Sequence, residues 1–260
     1  MTDDLNFISN NLYNCSVDFF GSDSESVFQQ NKLKQSNDWH YRNQPILYRF
    51  NKQGFRSSLD YDNVDWNNTV VILGCSNMMG VGLAENETLD YHIKTHTGLD
   101  VINLAVSGSS IDVSLYNATV LKRKANEVKA IIIGWTNPER FLTFDSNNIP
   151  TTHGAWDCMS VTDFKYFEHF MSGSVTHARY KKLIFNELWK NVPTLEFTFF
   201  ENANEALGCD FYRIEDYARD IHEGRSHPGK HTISKVGSDV INSLLGQPYV
   251  PSSFKISRFI

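Results

Sequence analysis

Cysteine is scarce in this 260-residue chain: four residues, Cys15, Cys75, Cys158 and Cys209, lie far apart with no Cys-x-x-Cys pair. Such spacing argues against a disulfide frame and against a thiolate zinc site, and the four read as free thiols in a reducing compartment. Positive charge is short too. With 24 Lys and Arg against 30 Asp and Glu, the net charge is −6, so no basic surplus is available to neutralise phosphates and no nucleic-acid partner is expected. No run approaches the ~18 consecutive apolar residues of a membrane span, and no membrane partner is expected. The opening Met-Thr-Asp-Asp-Leu-Asn has neither a basic nor an apolar region of the signal-peptide kind. A cytoplasmic or virion-associated location is therefore expected. No period of roughly 20–50 residues repeats, which argues against a solenoid.

What is present fits one large domain with a full core. Hydrophobic residues make up 41% and charged residues 21%, ordinary for a globular protein. Aromatics reach 13%, many of them outside the expected strands, where they line loops around a ligand or pack beneath those loops.

Residues 1–68 are rich in Asn, Ser and Asp without a sustained period and read as an irregular arm packed on the main domain. Within it Asn51 and Gly54 form a turn that Phe55 and Arg56 would pin to the body. Val70-Val71-Ile72-Leu73 is an uninterrupted apolar run that stops at Gly74, the pattern of a parallel strand covered on both faces. Helices are expected over 85–97, 112–125, 176–190 and 230–245, and further strands over 101–106, 128–134, 194–200 and 209–214. In the helix over 176–190, Tyr180, Leu183, Ile184, Leu188 and Trp189 are the expected inner residues. Strands alternating with helices at this spacing mean right-handed crossovers and a parallel sheet. Residues 69–246 form the main domain, 141–173 an aromatic-rich lid or specificity insertion, and 247–260 a tail.

Three strand ends would then converge on the ligand edge of the sheet, at Gly74-Cys75-Ser76, Ser107-Gly108 and Gly134-Trp135-Thr136-Asn137. His227 adds a fourth contribution from the loop before the last helix. Alone, a serine after a strand is more often a helix cap than a nucleophile. Together the four segments supply what acyl transfer needs: Ser76 as nucleophile, His227 as base, and the N–H groups of Ser76 and Gly108 with the Asn137 amide as oxyanion donors. A bare backbone at Gly108 lets a carbonyl come close.

These segments resemble the Ser, Gly, Asn and His blocks of the SGNH (GDSL-like) hydrolase superfamily, over about residues 48–245. Asn51-Lys52-Gln53-Gly54-Phe55-Arg56 is similar to a segment that precedes the first strand in some members. The resemblance implies an α/β fold, a three-layer α/β/α sandwich with a five-stranded parallel sheet of flavodoxin-like topology. It also implies a serine esterase, deacetylase or lipase that needs no metal or other cofactor, acting on a small acyl ester such as an O-acetylated carbohydrate. Three residues depart from the pattern. Cys75 stands where Asp is usual, Pro138 follows Asn137, and Gly224 occupies the position three before the histidine where an Asp is expected. Asp220, Glu223 or a backbone carbonyl could orient His227 instead. His222, His227 and His231 with Asp220 invite a metal reading, but Pro228-Gly229 interrupts the helix it would need. Cys75 is a lesser candidate nucleophile. A weak or inactive binding protein of the same fold, in an oligomer or a larger (phage) assembly, is the alternative.

Overall fold

The run Val70 to Leu73 is fully buried at the centre of the molecule, and the other elements are arranged about it. The computed structural model describes residues 6–125, 127–154, 173–221 and 226–246. In chain order its elements are β1 (Cys15–Val17), α1 (Glu25–Lys34), β2 (Tyr48–Phe50), β3 (Thr69–Gly74), α2 (Ser76–Met79), α3 (Leu89–Thr97), β4 (Asp100–Asn103) and α4 (Ile111–Lys124). There follow β5 (Ala130–Trp135), β6 (Phe141–Phe144), β7 (Pro150–His153), α5 (Ser174–Leu188), β8 (Thr194–Thr198), α6 (Glu201–Leu207), β9 (Asp210–Phe211) and α7 (Lys230–Leu244).

The main sheet has the order β4-β3-β5-β8-β9, and every neighbouring pair is parallel. Successive side chains of β3 point to opposite faces. Val70 and Ile72 join Leu89 and Ile93 of α3 and Ile233, Val236 and Val240 of α7. Val71 and Leu73 join Val113 and Leu121 of α4 and Phe185 of α5. This is the expected three-layer α/β/α architecture with five parallel strands. Strand order reverses where β3 lies between β4 and β5, which opens a crevice beyond the carboxyl ends of β3 and β5. Among the described residues no helix is long and apolar enough to cross a membrane.

Several elements differ from the sequence reading. The arm carries short regular elements within otherwise irregular chain: β1 pairs antiparallel with β2, α1 spans Glu25–Lys34, and Tyr41, Ile46, Tyr48 and Phe50 enter the core. It shows no period because single aromatics do the packing, and α1 buries only Asn31. The helix expected over 85–97 is split into a 3-10 turn at Glu85–Glu87 and α3, with an extended Thr88 between them. In α5 the expected inner residues Tyr180, Leu183 and Ile184 are 63%, 64% and 54% exposed. The expected Trp189 is buried and Leu188 packs against the core, but the middle of the helix turns Ala178 and Phe185 inward instead, and Phe185 meets Trp135 edge to face with ring centroids 5.3 Å apart. Apolar residues occur on both sides of α5, so periodicity alone could not choose between them. Residues 141–153 of the expected lid form the β6–β7 hairpin. The rest of that insertion over 155–172, and the tail 247–260, lie outside the described residues.

Two glycines let the chain turn off the sheet into the site. Gly74 and Gly134 are register partners on β3 and β5, and the buried Met78 side chain lies across both. Gly74 has φ +144°, and a Cβ there would sit 2.7 Å from the Gly134 carbonyl oxygen and press on Met78. Overpacking costs about 1–3 kcal/mol and backbone strain a comparable amount. Gly74→Ala is therefore expected to lower the free energy of unfolding in urea by about 2–5 kcal/mol. At Gly134 a new methyl meets only the flexible Met78 side chain, so Gly134→Ala should cost less.

Candidate active site

Ser76 is the first residue of α2, reached after Gly74 and Cys75 at the switch point of the sheet. As the opening residue of a helix its N–H has no intrahelical acceptor. Arg56 secures the far end of this short helix: its guanidinium is buried, donates to the Gly80 and Leu83 carbonyls, and stacks 4.4 Å from the Tyr48 ring centre. The turn before it is set by Asn51, whose Oδ1 accepts from Gln53 and Phe55 N–H at 3.0 and 2.9 Å. Asn103, at the end of β4, donates to the Met78 carbonyl at 2.9 Å and so ties α2 to the neighbouring strand.

Gly108 turns with φ +70° in the loop after β4, and the space where a Cβ would sit is open. Asn10 of the arm holds this loop: its Oδ1 accepts from Ser107 N–H at 2.8 Å, and its Nδ2 donates to the Ala105 carbonyl at 3.3 Å. Ser109 donates to the Gly74 carbonyl at 3.1 Å, closing the loop onto the β3 end. Asn137 follows β5 in a local side-chain turn, its Oδ1 accepting from Glu139 N–H at 2.8 Å. Asn202 of α6 donates to the same Oδ1 at 3.1 Å. Its carbonyl is held from two sides, and its amide nitrogen makes a long 3.5 Å contact to Glu139 Oε2.

His227 sits in a hairpin-like closure. Tyr217 bridges Pro228, Ala218 N–H donates to the His227 carbonyl at 3.0 Å, and Arg219 N–H donates to Gly82 at 3.0 Å. The fold-back brings Asp220, fully buried, against the ring: its Oδ2 lies 2.5 Å from His227 Nδ1. Its other oxygen accepts from His227 N–H at 3.4 Å. Burial on its own would raise the Asp220 carboxyl. The hydrogen bond and charge of His227, with a bond from Ser22, outweigh that and hold it below its ordinary value. A carboxylate on Nδ1 leaves Nε2 as the ring nitrogen for chemistry. Glu223, the other candidate carboxylate, lies outside the described residues, as do His222 and Gly224. His231 is exposed in the first turn of α7, where its N–H donates to Asp216.

Ser76, Gly108, Asn137 and His227, from four separate segments, line one cleft of about 470 Å³. Phe199, Phe200 and Ile214 give it an apolar wall, and Ser22, Glu139 and Arg140 a polar one. Cys75, only 1% exposed, is in the core. Ser22, Asp23, Asn10, Arg219 and Asn202 were not singled out by sequence. They are polar residues in aperiodic stretches, and only their three-dimensional neighbours distinguish them.

No family model and no curated protein matches the chain. Solved structures that do match include several of the family the sequence resembles. A candidate GDSL-like lipase from Bacteroides ovatus ATCC 8483 is 12% identical with a TM-score of 0.44, over 71% of this chain and 55% of its own. The acetyl xylan esterase Est2A from Butyrivibrio proteoclasticus is 10% identical with a TM-score of 0.39, over 70% and 64%. The psychrotrophic esterase EstA from Pseudoalteromonas sp. is 15% identical with a TM-score of 0.36, over 69% and 98%. The chain thus spans less than two thirds of the first two.

Because the Asp220 carboxyl is depressed in the folded state, its ionised form stabilises the fold above the unfolded value of 3.8. That contribution is lost as pH falls through the lower folded value. The difference in unfolding free energy between wild type and Asp220→Asn should accordingly be greatest at neutral pH and shrink once the pH drops below 3.8. Urea titrations across that range check it; a difference independent of pH would contradict a depressed Asp220 carboxyl.

Proposed function

We propose that this chain is a serine ester hydrolase of SGNH type that removes small acyl groups, O-acetyl groups on a carbohydrate being the favoured substrate class. The observation that carries this reading is that Ser76, Gly108, Asn137 and His227 border a single cleft with a buried carboxylate behind the imidazole. A cleft of about 470 Å³ suits a small molecule or one end of a larger one.

In this mechanism Ser76 Oγ attacks the ester carbonyl carbon while His227 Nε2 takes the hydroxyl proton. Asp220 holds the ring by Nδ1 and stabilises the imidazolium that forms. The carbonyl oxygen becomes an oxyanion that accepts from the N–H groups of Ser76 and Gly108 and the Asn137 amide. Collapse breaks the bond to the leaving alcohol, which receives the proton from His227. Water then attacks the acyl-Ser76 ester, gives a proton to the same nitrogen, and the acid departs as Ser76 recovers its hydrogen.

Turnover of a chromogenic acetyl ester tests the reading. Ser76→Ala and His227→Ala should each lower kcat about a thousandfold or more, and Asn137→Ala about a hundredfold. A fluorophosphonate should label wild type and not Ser76→Ala. Equal rates for wild type and Ser76→Ala would refute the assignment. No turnover together with no labelling would favour a binding or structural role on the same scaffold.

A further inference from the structure

The arm reaches the acid–base pair directly. Ser22 Oγ lies 2.6 Å from Asp220 Oδ2, the same oxygen that stands 2.5 Å from His227 Nδ1. Its distance to Nδ1 itself is 3.5 Å, so the short contact is a hydroxyl donating to a carboxylate, not a rival for the imidazole proton. Ser22 is half-buried and borders the cleft, whereas Asp220 is fully buried.

Ser22 is itself held in place. It occupies the tip of a tight turn in which Phe20 and Asp23 exchange backbone hydrogen bonds of 2.9 and 3.2 Å. The next residue, Asp23, is fully buried and accepts from Arg219 Nε at 2.9 Å, Arg219 Nη2 at 2.7 Å and Tyr48 Oη at 2.5 Å. Arg219 is the residue before Asp220. Two adjacent pairs, Ser22-Asp23 and Arg219-Asp220, are therefore interlocked: the arm's carboxylate takes the guanidinium, and the arm's hydroxyl is given to the other carboxylate. His227 itself reaches both oxygens of Asp220, its ring at 2.5 Å and its backbone N–H at a long 3.4 Å. Ser22 adds a short bond from outside the histidine segment, and a further donor narrows the torsional freedom left to the carboxylate.

We propose that Ser22 is a positioning residue for the acid–base pair, its hydroxyl holding the Asp220 carboxylate in the orientation that receives the His227 Nδ1 proton. The arm thereby completes a site whose aspartate stands seven residues before the histidine. The kinetic consequence rests on the hydrolase reading above; the geometric one does not.

Ser22→Ala and Ser22→Thr, each made in the wild-type and Asp220→Asn backgrounds, test the proposal. In the wild-type background Ser22→Ala should lower kcat about tenfold with KM unchanged, the effect of losing one hydrogen bond to a charged group. Ser22→Thr, which keeps the hydroxyl, should restore it. In the Asp220→Asn background Ser22→Ala should have little further effect, because its partner is already altered. Equal losses in both backgrounds, or none in either, would overturn the proposal. Proton NMR supplies a readout independent of turnover. Wild type should show a slowly exchanging low-field His227 Nδ1 proton that moves upfield and exchanges faster in Ser22→Ala and returns in Ser22→Thr. An unchanged resonance, or none in wild type, would overturn the proposal. If wild type shows no Ser76-dependent turnover, the hydrolase reading fails while the resonance still decides the role of Ser22.

Discussion

The buried ion pair between Asp23 and Arg219 joins the two parts of the chain that the site requires, the arm and the hairpin carrying Asp220 and His227. Its side chains are almost completely shielded from water. The guanidinium lies over the Phe19 and Phe28 rings, 4.7 and 5.0 Å from their centres, and also donates to the Asp18 carbonyl at 2.7 Å. Desolvating two charges offsets most of their attraction, so such a pair adds little net stability compared with apolar residues of the same shape. Leaving either charge alone is another matter, costing about 3–5 kcal/mol. The pair is thus best understood as a constraint on alignment: alternative seatings of the arm would bury an unpaired charge.

Alignment at that point is transmitted to the cleft. Tyr48 donates to Asp23 and accepts from Gly82 N–H at 2.7 Å, while Gly82 accepts from Arg219 N–H. The segment after α2 is therefore tied to both the arm and the hairpin. On the other side, Gly74 and Gly134 admit Met78 over the ends of β3 and β5, so α2 begins directly at the switch point. Ser76 and His227 approach the cleft from opposite directions along the chain, and the same small set of polar contacts sets both.

The central sheet was readable because its signal is local. Buried parallel strands carry unbroken apolar runs, and β3 and β5 display them. The helices α3, α4 and α7 bury one face and could be found to within a few residues. In the arm the turn at Asn51 and Gly54 and its anchors Phe55 and Arg56 were legible, but the rest was opaque since its core contacts come from isolated residues such as Tyr48 and Phe50, which have no period. The inner side of α5 was read correctly at Leu188 and Trp189 and wrongly at Tyr180, Leu183 and Ile184, which match helical spacing as well as Ala178 and Phe185 do. In the site, Ser76, Gly108, Asn137 and His227 stood out by their positions after strands or before the last helix.

From the sequence alone came the parallel α/β architecture and the residues at its strand ends, because short-range pattern encodes burial and strands deliver their carboxyl ends to one edge. Tertiary structure alone decided which carboxylate meets His227. Asp220 reaches the ring only because Tyr217 and Ala218 pair with the histidine segment and close the loop. It likewise decided that Ser22, 198 residues from Asp220 along the chain, touches the same oxygen. Contacts between such distant polar groups leave no period or spacing to read; they exist because burying Asp23 and Arg219 together is far cheaper than burying either alone.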